Sequence, residues 1–253
     1  MAQKTLKEHY ERKYAHESDV SSIESIKMVG VPVNRLEAAV KFLPQFFKEG
    51  TILEIGAGNG SIAKTFLESD MKISSYAVGD LSLSRVEGIR KRLKDSRMSV
   101  LELDAEAISE NEYGKYDAII MIALIEHLVD PLHAMQSIRK LLKPGGFVYI
   151  DTPNVAKYTR RLKLLFGRFP STSSRNEGLT TYSGKPVDLH EEGHLHYFTF
   201  RSLSLMLTQR CGFSRVVKFG YPCGNTPLGK ATHNWLSKIW PEMFSELAVI
   251  AYA

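Results

Sequence analysis

Ile52-Leu53-Glu54-Ile55-Gly56-Ala57-Gly58-Asn59-Gly60 is an apolar strand with one internal carboxylate, and it runs into three glycines spaced two apart. Such a run, followed by Ser61-Ile62-Ala63-Lys64, predicts strand, tight loop and helix, in that order. A loop this rich in glycine can lie directly against a ligand. The dinucleotide fingerprint Gly-x-Gly-x-x-Gly would place its third glycine at position 61. Ser61 stands there, so a dinucleotide fits the spacing poorly.

Outward from this stretch, short β runs alternate with helical stretches, which predicts a mostly parallel sheet with helices on both faces. Strands are expected over 51–55, 74–78, 98–103, 116–122, 147–151, 215–219 and 247–252. Leu6, Tyr10 and Tyr14 recur every four residues, and Asn34 with Glu37 makes a capping-box start for a helix running to Phe47. Leu83, Val86, Ile89 and Leu93 stripe another helix. Asp130-Pro131 opens the helix before the fifth strand and Pro144-Gly145-Gly146 closes it, while a further helix spans Ser202 to Cys211, capped by Gly212.

The 253 residues, 43% of them hydrophobic, suffice for one domain with a sizeable core. The expected organisation is a helical cap (1–50), a ligand-binding core (51–155), an insertion or lid (156–194), and a C-terminal helix with a hairpin (195–253). Two cysteines, Cys211 and Cys223, have no metal-type partner spacing, and no apolar run reaches membrane-spanning length; the expected location is cytoplasmic. A net charge of +5 permits an anionic partner without requiring one.

Open sheets of this kind bind ligands at the carboxyl ends of their strands. Asp80 falls at the end of the second strand, where a carboxylate can accept from a ribose diol, and Asp104-Ala105 ends the third, where an oxygen can accept from an adenine amine. Ile122 and Ala123 end the fourth with an apolar shelf before Glu126-His127-Leu128.

These ordered features resemble the class I S-adenosylmethionine-dependent methyltransferases across roughly Tyr10 to Phe219. The loop after Glu54 resembles their first motif. Tyr116-Asp117-Ala118-Ile119-Ile120, Ile125-Glu126-His127-Leu128-Val129-Asp130-Pro131 and Leu141-Leu142-Lys143-Pro144-Gly145-Gly146 are similar to later ones. Asp151-Thr152-Pro153-Asn154 and His194-Leu195-His196-Tyr197-Phe198-Thr199 look like the small-molecule branch that includes ubiquinone-type O-methyltransferases. The resemblance implies a three-layer, doubly wound seven-stranded sheet ending in an antiparallel hairpin. It also implies S-adenosylmethionine as donor, S-adenosylhomocysteine as product, and a small-molecule or lipid- or sugar-linked acceptor. The implied cofactor contacts are Glu54, Gly56, Ala57, Gly58, Asp80, Leu81, Asp104, Ala105 and Ile122, with Tyr14 and Arg35 as covering residues, Arg35 pairing with the methionine carboxylate.

Methyl transfer from a sulfonium is an in-line displacement that needs positioning, water exclusion and, for a protonated acceptor, a base. His127 is the first candidate base; His194 and His196, expected on one face of an extended segment, come next. Metal-dependent relatives carry a further glutamate where this chain has Ala123, and without that oxygen ligand a hard cation is not expected. Lys157, Arg160, Arg161, Lys163 and Arg168 lie among Tyr158, Leu162, Leu164, Leu165 and Phe166 with no acid between them. This basic amphipathic segment suits a lid, an anionic membrane surface or a phosphate-bearing acceptor. Ordinary solvated packing is the plainer reading, and Ser171 to Asn176 follow as a polar stretch. A nucleic-acid acceptor is disfavoured because no RNA-binding module accompanies the domain, and a non-catalytic cofactor binder is the remaining alternative.

Overall fold

The computed structural model describes residues 7–8, 11, 14–15, 22–109, 114–172, 194–223 and 229–253. Its elements are α1 (Arg35–Phe42), β1 (Glu49–Ile55), α2 (Ser61–Leu67), β2 (Lys72–Asp80), α3 (Leu83–Arg92), β3 (Met98–Glu102), β4 (Tyr116–Ile122), α4 (Pro131–Lys140), β5 (Leu142–Thr152), α5 (Tyr158–Leu165), α6 (Phe200–Leu205), β6 (Arg215–Phe219), α7 (Lys230–Ile239), α8 (Pro241–Phe244) and β7 (Leu247–Tyr252). The strands form one seven-stranded sheet in the order β3-β2-β1-β4-β5-β7-β6. β7 runs antiparallel to both β5 and β6, and every other pair is parallel. The expected doubly wound sheet with a terminal antiparallel hairpin is therefore present.

Strand periodicity divides the core in two. Leu53, Ile55, Ile119, Met121, Val148 and Ile150 face one layer with Ala134, Met135 and Ile138 of α4 and Phe200 and Leu203 of α6. Ile52, Ile120 and Tyr149 face the opposite layer, under Ala38 and Ala39 of α1 and Ile62 and Phe66 of α2. Burial on both faces explains why β1 and β4 read as near-continuous apolar runs rather than alternating ones.

Local chemistry starts the helices. Asn34 accepts from the Glu37 N–H at 2.9 Å, and the Glu37 carboxylate accepts back from Val33 N–H. Asp130 caps α4 by accepting from His133 N–H at 3.0 Å, with Pro131 at its first position. The helix expected to reach Phe47 stops as an α-helix at Phe42, and a 3-10 turn, Leu43–Gln45, follows. Pro44 supplies no N–H to continue the ladder.

Other boundaries moved as well, β1 and β2 each beginning two residues before their expected starts. Pro144-Gly145-Gly146, expected to close α4, lies inside β5, where the register against β4 shifts between Tyr116 and Ala118. Gly145 takes φ +76°, and a Cβ on Gly146 would lie 3.0 Å from the Tyr116 carbonyl oxygen, so the glycines form a bulge rather than a helix stop. The helix expected from Ser202 begins two residues earlier because Thr199, not Ser202, is its N-cap, and Met206–Arg210 continues it as a π turn.

Leu6, Tyr10 and residues 173–193 of the expected insertion lie outside the described residues. Among the described residues no helix is long and apolar enough to cross a membrane. The order in which strands are laid down reverses between the parallel neighbours β1 and β4, and this switch point opens the crevice where the candidate site lies.

Candidate functional site

The loop after β1 is held from behind by β2. Gly56 and Ala57 N–H groups both donate to the Gly79 carbonyl, at 2.8 and 3.1 Å, and Gly58 N–H donates to Asp80 Oδ2 at 2.9 Å. Asp80 Oδ1 accepts from Ser82 N–H at 3.0 Å, and Arg85 Nη1 stands 3.8 Å from Oδ2. Gly56 and Gly58 take φ +74° and +58°, a region that favours glycine, and a Cβ at Gly56 would press on Leu124 at 3.2 Å. Glycine is thus required here by both backbone angle and space.

In front of the loop is an open cleft with about 670 Å³ of empty volume. Of the expected contacts, Tyr14, Gly56, Asp80, Leu81, Asp104 and Ala105 line it together, and so does His127. Ala57 and Gly58 form the turn behind its wall. Tyr14 lies under the Arg85 guanidinium at 3.2 Å. Asp104 Oδ1 accepts from Glu106 N–H, and the Glu106 carboxylate accepts from Val129 and Asp130 N–H groups, tying the end of β3 to the start of α4. Glu106 had no sequence signal, because its partners are more than twenty positions away.

Three expected contacts stand elsewhere. Glu54 points into the layer behind the loop, where it accepts from the Tyr76 hydroxyl at 2.8 Å. Burial, reinforced by the Asp80 charge and opposed by that hydrogen bond, pushes its carboxyl up to about 8. Ile122 packs on the same inner layer. Arg35, expected over a methionine carboxylate, has its Nη1 3.8 Å from Glu126 Oε1.

Arg35, itself half-buried, borders a buried polar cluster at the ends of β4 and β5. Glu126 Oε2 accepts from the Thr152 hydroxyl at 2.8 Å, and Asp151 accepts from the Tyr221 hydroxyl at 2.8 Å. Burial raises both carboxyls, against the pull of Arg35. Asp151 and Tyr221 were missed in the sequence because no pattern reports two buried groups seventy positions apart.

The histidines separate into a pair and an outlier. His127 and His194 meet edge to face, ring centroids 4.9 Å apart. His194 Nδ1 is 2.6 Å from the Thr172 hydroxyl, and its Nε2 is 4.0 Å from Glu126 Oε1. His196 turns away, with Nε2 3.2 Å from the Val129 carbonyl. The shared face expected from alternation fails because the segment is not a strand: only Phe198 bridges, to Asn154, while Leu195 and His196 N–H groups both donate to the Glu126 carbonyl. Ala123, between β4 and this pair, holds φ +51°, the one non-glycine positive φ among the described residues. One ligand atom from each of Glu126, His127 and His194 lies within 4.8 Å of the others, a set that could hold a metal ion. Two imidazoles and one oxygen suit zinc-type ions better than magnesium or calcium, and the Arg35 guanidinium already supplies positive charge beside Glu126.

The basic segment also divides. Lys157 and Arg160, expected as solvated cations, instead pair with the buried Glu246 at 3.1 and 2.8 Å.

A family model described as a methyltransferase domain matches residues 33–217. Among curated proteins, the ubiquinone biosynthesis O-methyltransferase of Leptothrix cholodnii is 25% identical over 103 residues, 41% of this chain and 44% of that protein. Its Vibrio cholerae counterpart is 29% identical over 105 residues, 41% of this chain and 42% of its own length. The matched stretch is thus under half of either relative. A methyltransferase solved in complex with the Haloferax volcanii Trm112 activator superposes with TM-score 0.60 at 14% identity, covering 98% of this chain and 97% of its own. N-methyltransferase NodS of Bradyrhizobium japonicum, solved with S-adenosyl-L-homocysteine, gives TM-score 0.51 at 13% identity, covering 87% and 88%.

Proposed function

The chain belongs to the methyltransferase-domain family, and we propose that it is an S-adenosylmethionine-dependent methyltransferase that methylates an oxygen of a small-molecule or lipid- or sugar-linked acceptor. The observation that carries the acceptor reading is His127, which lines the cleft in ring contact with His194, itself anchored on Thr172. The names of the curated relatives support oxygen as the atom methylated.

The cleft suits an adenosyl ligand. Gly56 brings bare backbone to its wall, and two carboxylates stand at adjacent strand ends. Asp80 accepts from the ribose diol while fixing the glycine loop, Asp104 accepts from the adenine amine, and Leu81 and Ala105 wall the base. Bound there, S-adenosylmethionine supplies an electrophilic methyl group. His127 takes the proton from the acceptor hydroxyl, and His194, between Thr172 and Glu126, holds His127 in place and shares the charge. The backbone turn at Ala123 sets the distance between loop and histidine. Both cysteines are free, which supports a reducing compartment such as the cytoplasm.

The test is a cell extract incubated with enzyme and radiolabelled donor, then fractionated into lipid, polysaccharide, protein and nucleic acid. Label is expected in small-molecule, lipid or polysaccharide fractions as a methyl ether or ester. Label confined to RNA or protein would overturn the acceptor class, and label carried as N-methyl groups would overturn the choice of oxygen.

A further inference from the structure

Helix α5 is nailed down at its start, and among the described residues its end is exposed. Lys157 and Arg160 hold Glu246, and the Tyr158 ring packs on His233 of α7 and Phe244 of α8, at 5.6 and 5.4 Å. Beyond that turn the helix buries nothing: Leu162, Leu164, Leu165 and Phe166 all face solvent, Leu165 at 75% and Phe166 at 76% exposure. Helical spacing places Leu162, Leu165 and Phe166 on the side that Tyr158 begins.

Single exposed apolar residues are ordinary, but four on the end of one short helix, followed by the exposed Phe169, are not. The charges around them have one sign. Arg161, Lys163 and Arg168 accompany the ridge, and no acid lies in 156–172. A second copy of the chain meeting this face across a two-fold axis would set like charges against each other. A leaflet of anionic lipid complements both features, taking Phe and Leu into the acyl boundary while the cations meet headgroups.

We propose that the free end of α5 docks on an anionic lipid bilayer. The surface adjoins the site, since Phe169 just past α5 contacts Tyr197 and Thr172 holds His194. Docking therefore turns the His127–His194 side of the cleft toward the membrane.

The experiment is co-sedimentation of the full chain with vesicles of phosphatidylcholine alone or mixed with phosphatidylglycerol, at low and high salt. Binding is expected only to the mixed vesicles, weakening with salt. The pairs Leu165→Asp with Phe166→Asp, and Arg161→Glu with Lys163→Glu, should each reduce partitioning about tenfold or more, with S-adenosylmethionine affinity by calorimetry unchanged. That second readout separates failure of docking from failure of the donor site. No binding to mixed vesicles, or binding indifferent to both variant pairs, overturns the proposal. A dimer in solution that Leu165→Asp with Phe166→Asp dissociates, without vesicle binding, would assign the face to a second copy instead.

Discussion

Gly58 and Asp80 are joined across the first two strands: the Gly58 N–H donates to Asp80 Oδ2 at 2.9 Å, so the carboxylate that ends β2 also sets the loop that ends β1. Its other oxygen accepts from Ser82 N–H, the residue that caps α3. Asp80→Asn keeps the shape but turns one acceptor into a donor facing a backbone N–H. The expected cost is about 1–3 kcal/mol of stability and a loss of donor affinity of about tenfold or more. Calorimetry with S-adenosylhomocysteine checks it. Unchanged affinity in a folded variant would sink the adenosyl site described here.

That double role shows what was legible in the sequence and what was not. β4, β6 and β7 appear with the limits their apolar runs set, and Asn34, Asp130 and Pro131 start helices as their side chains dictate. Local chemistry suffices for such features. The errors fall where a distant partner decides. Gly145 and Gly146 read as a helix stop, yet the carbonyls of β4 make them a bulge. Lys157 and Arg160 read as a solvated face because Glu246 lies more than eighty positions away.

Glu54 should give stability an unusual pH slope. Its folded-state carboxyl sits at about 8, far above its ordinary value, because burial penalises the charge. Between those limits the unfolded chain releases a proton that the folded chain keeps, so stability falls as pH rises through the window and levels above about 8. The loss is bounded at roughly 5 kcal/mol. Glu54→Gln cannot ionise and keeps an acceptor for Tyr76, so urea denaturation near pH 5 and near pH 9 should show a smaller drop than in the parent. Equal drops would place the ionisation elsewhere.

Arg160→Met should destabilise the fold through Glu246. Burial works against that carboxylate's charge, but Arg160 and Lys157 outweigh it and hold the group below its usual range. Its stability is present at neutral pH and is lost as pH falls. Removing Arg160 leaves a buried charge with one partner fewer, costing roughly 3–5 kcal/mol, and adding Glu246→Gln should recover part of the loss. A double-mutant cycle by urea denaturation measures the coupling. A single variant as stable as the parent would return Arg160 to the solvated face the sequence suggested.

The histidine pair separates chemistry from binding most sharply. His127 lines the cleft, whereas His194 reaches it through His127, with Thr172 on one nitrogen and Glu126 4.0 Å from the other. If His127 removes the acceptor proton, His127→Gln should lower turnover about 10²–10⁴-fold at saturating donor while S-adenosylmethionine affinity stays within a few-fold. His194→Gln, which loses only the positioning contact, should cost less and shift the pH profile of turnover. Glu126, His127 and His194 also form the set able to hold a metal, and the same assay discriminates. A general base works in the presence of a chelator; a metal ligand set does not, and removing any of its members should then weaken metal binding together with turnover. Turnover abolished by chelation and restored by zinc would move His127 from base to ligand, and a His127→Gln enzyme with full activity would remove it from the reaction.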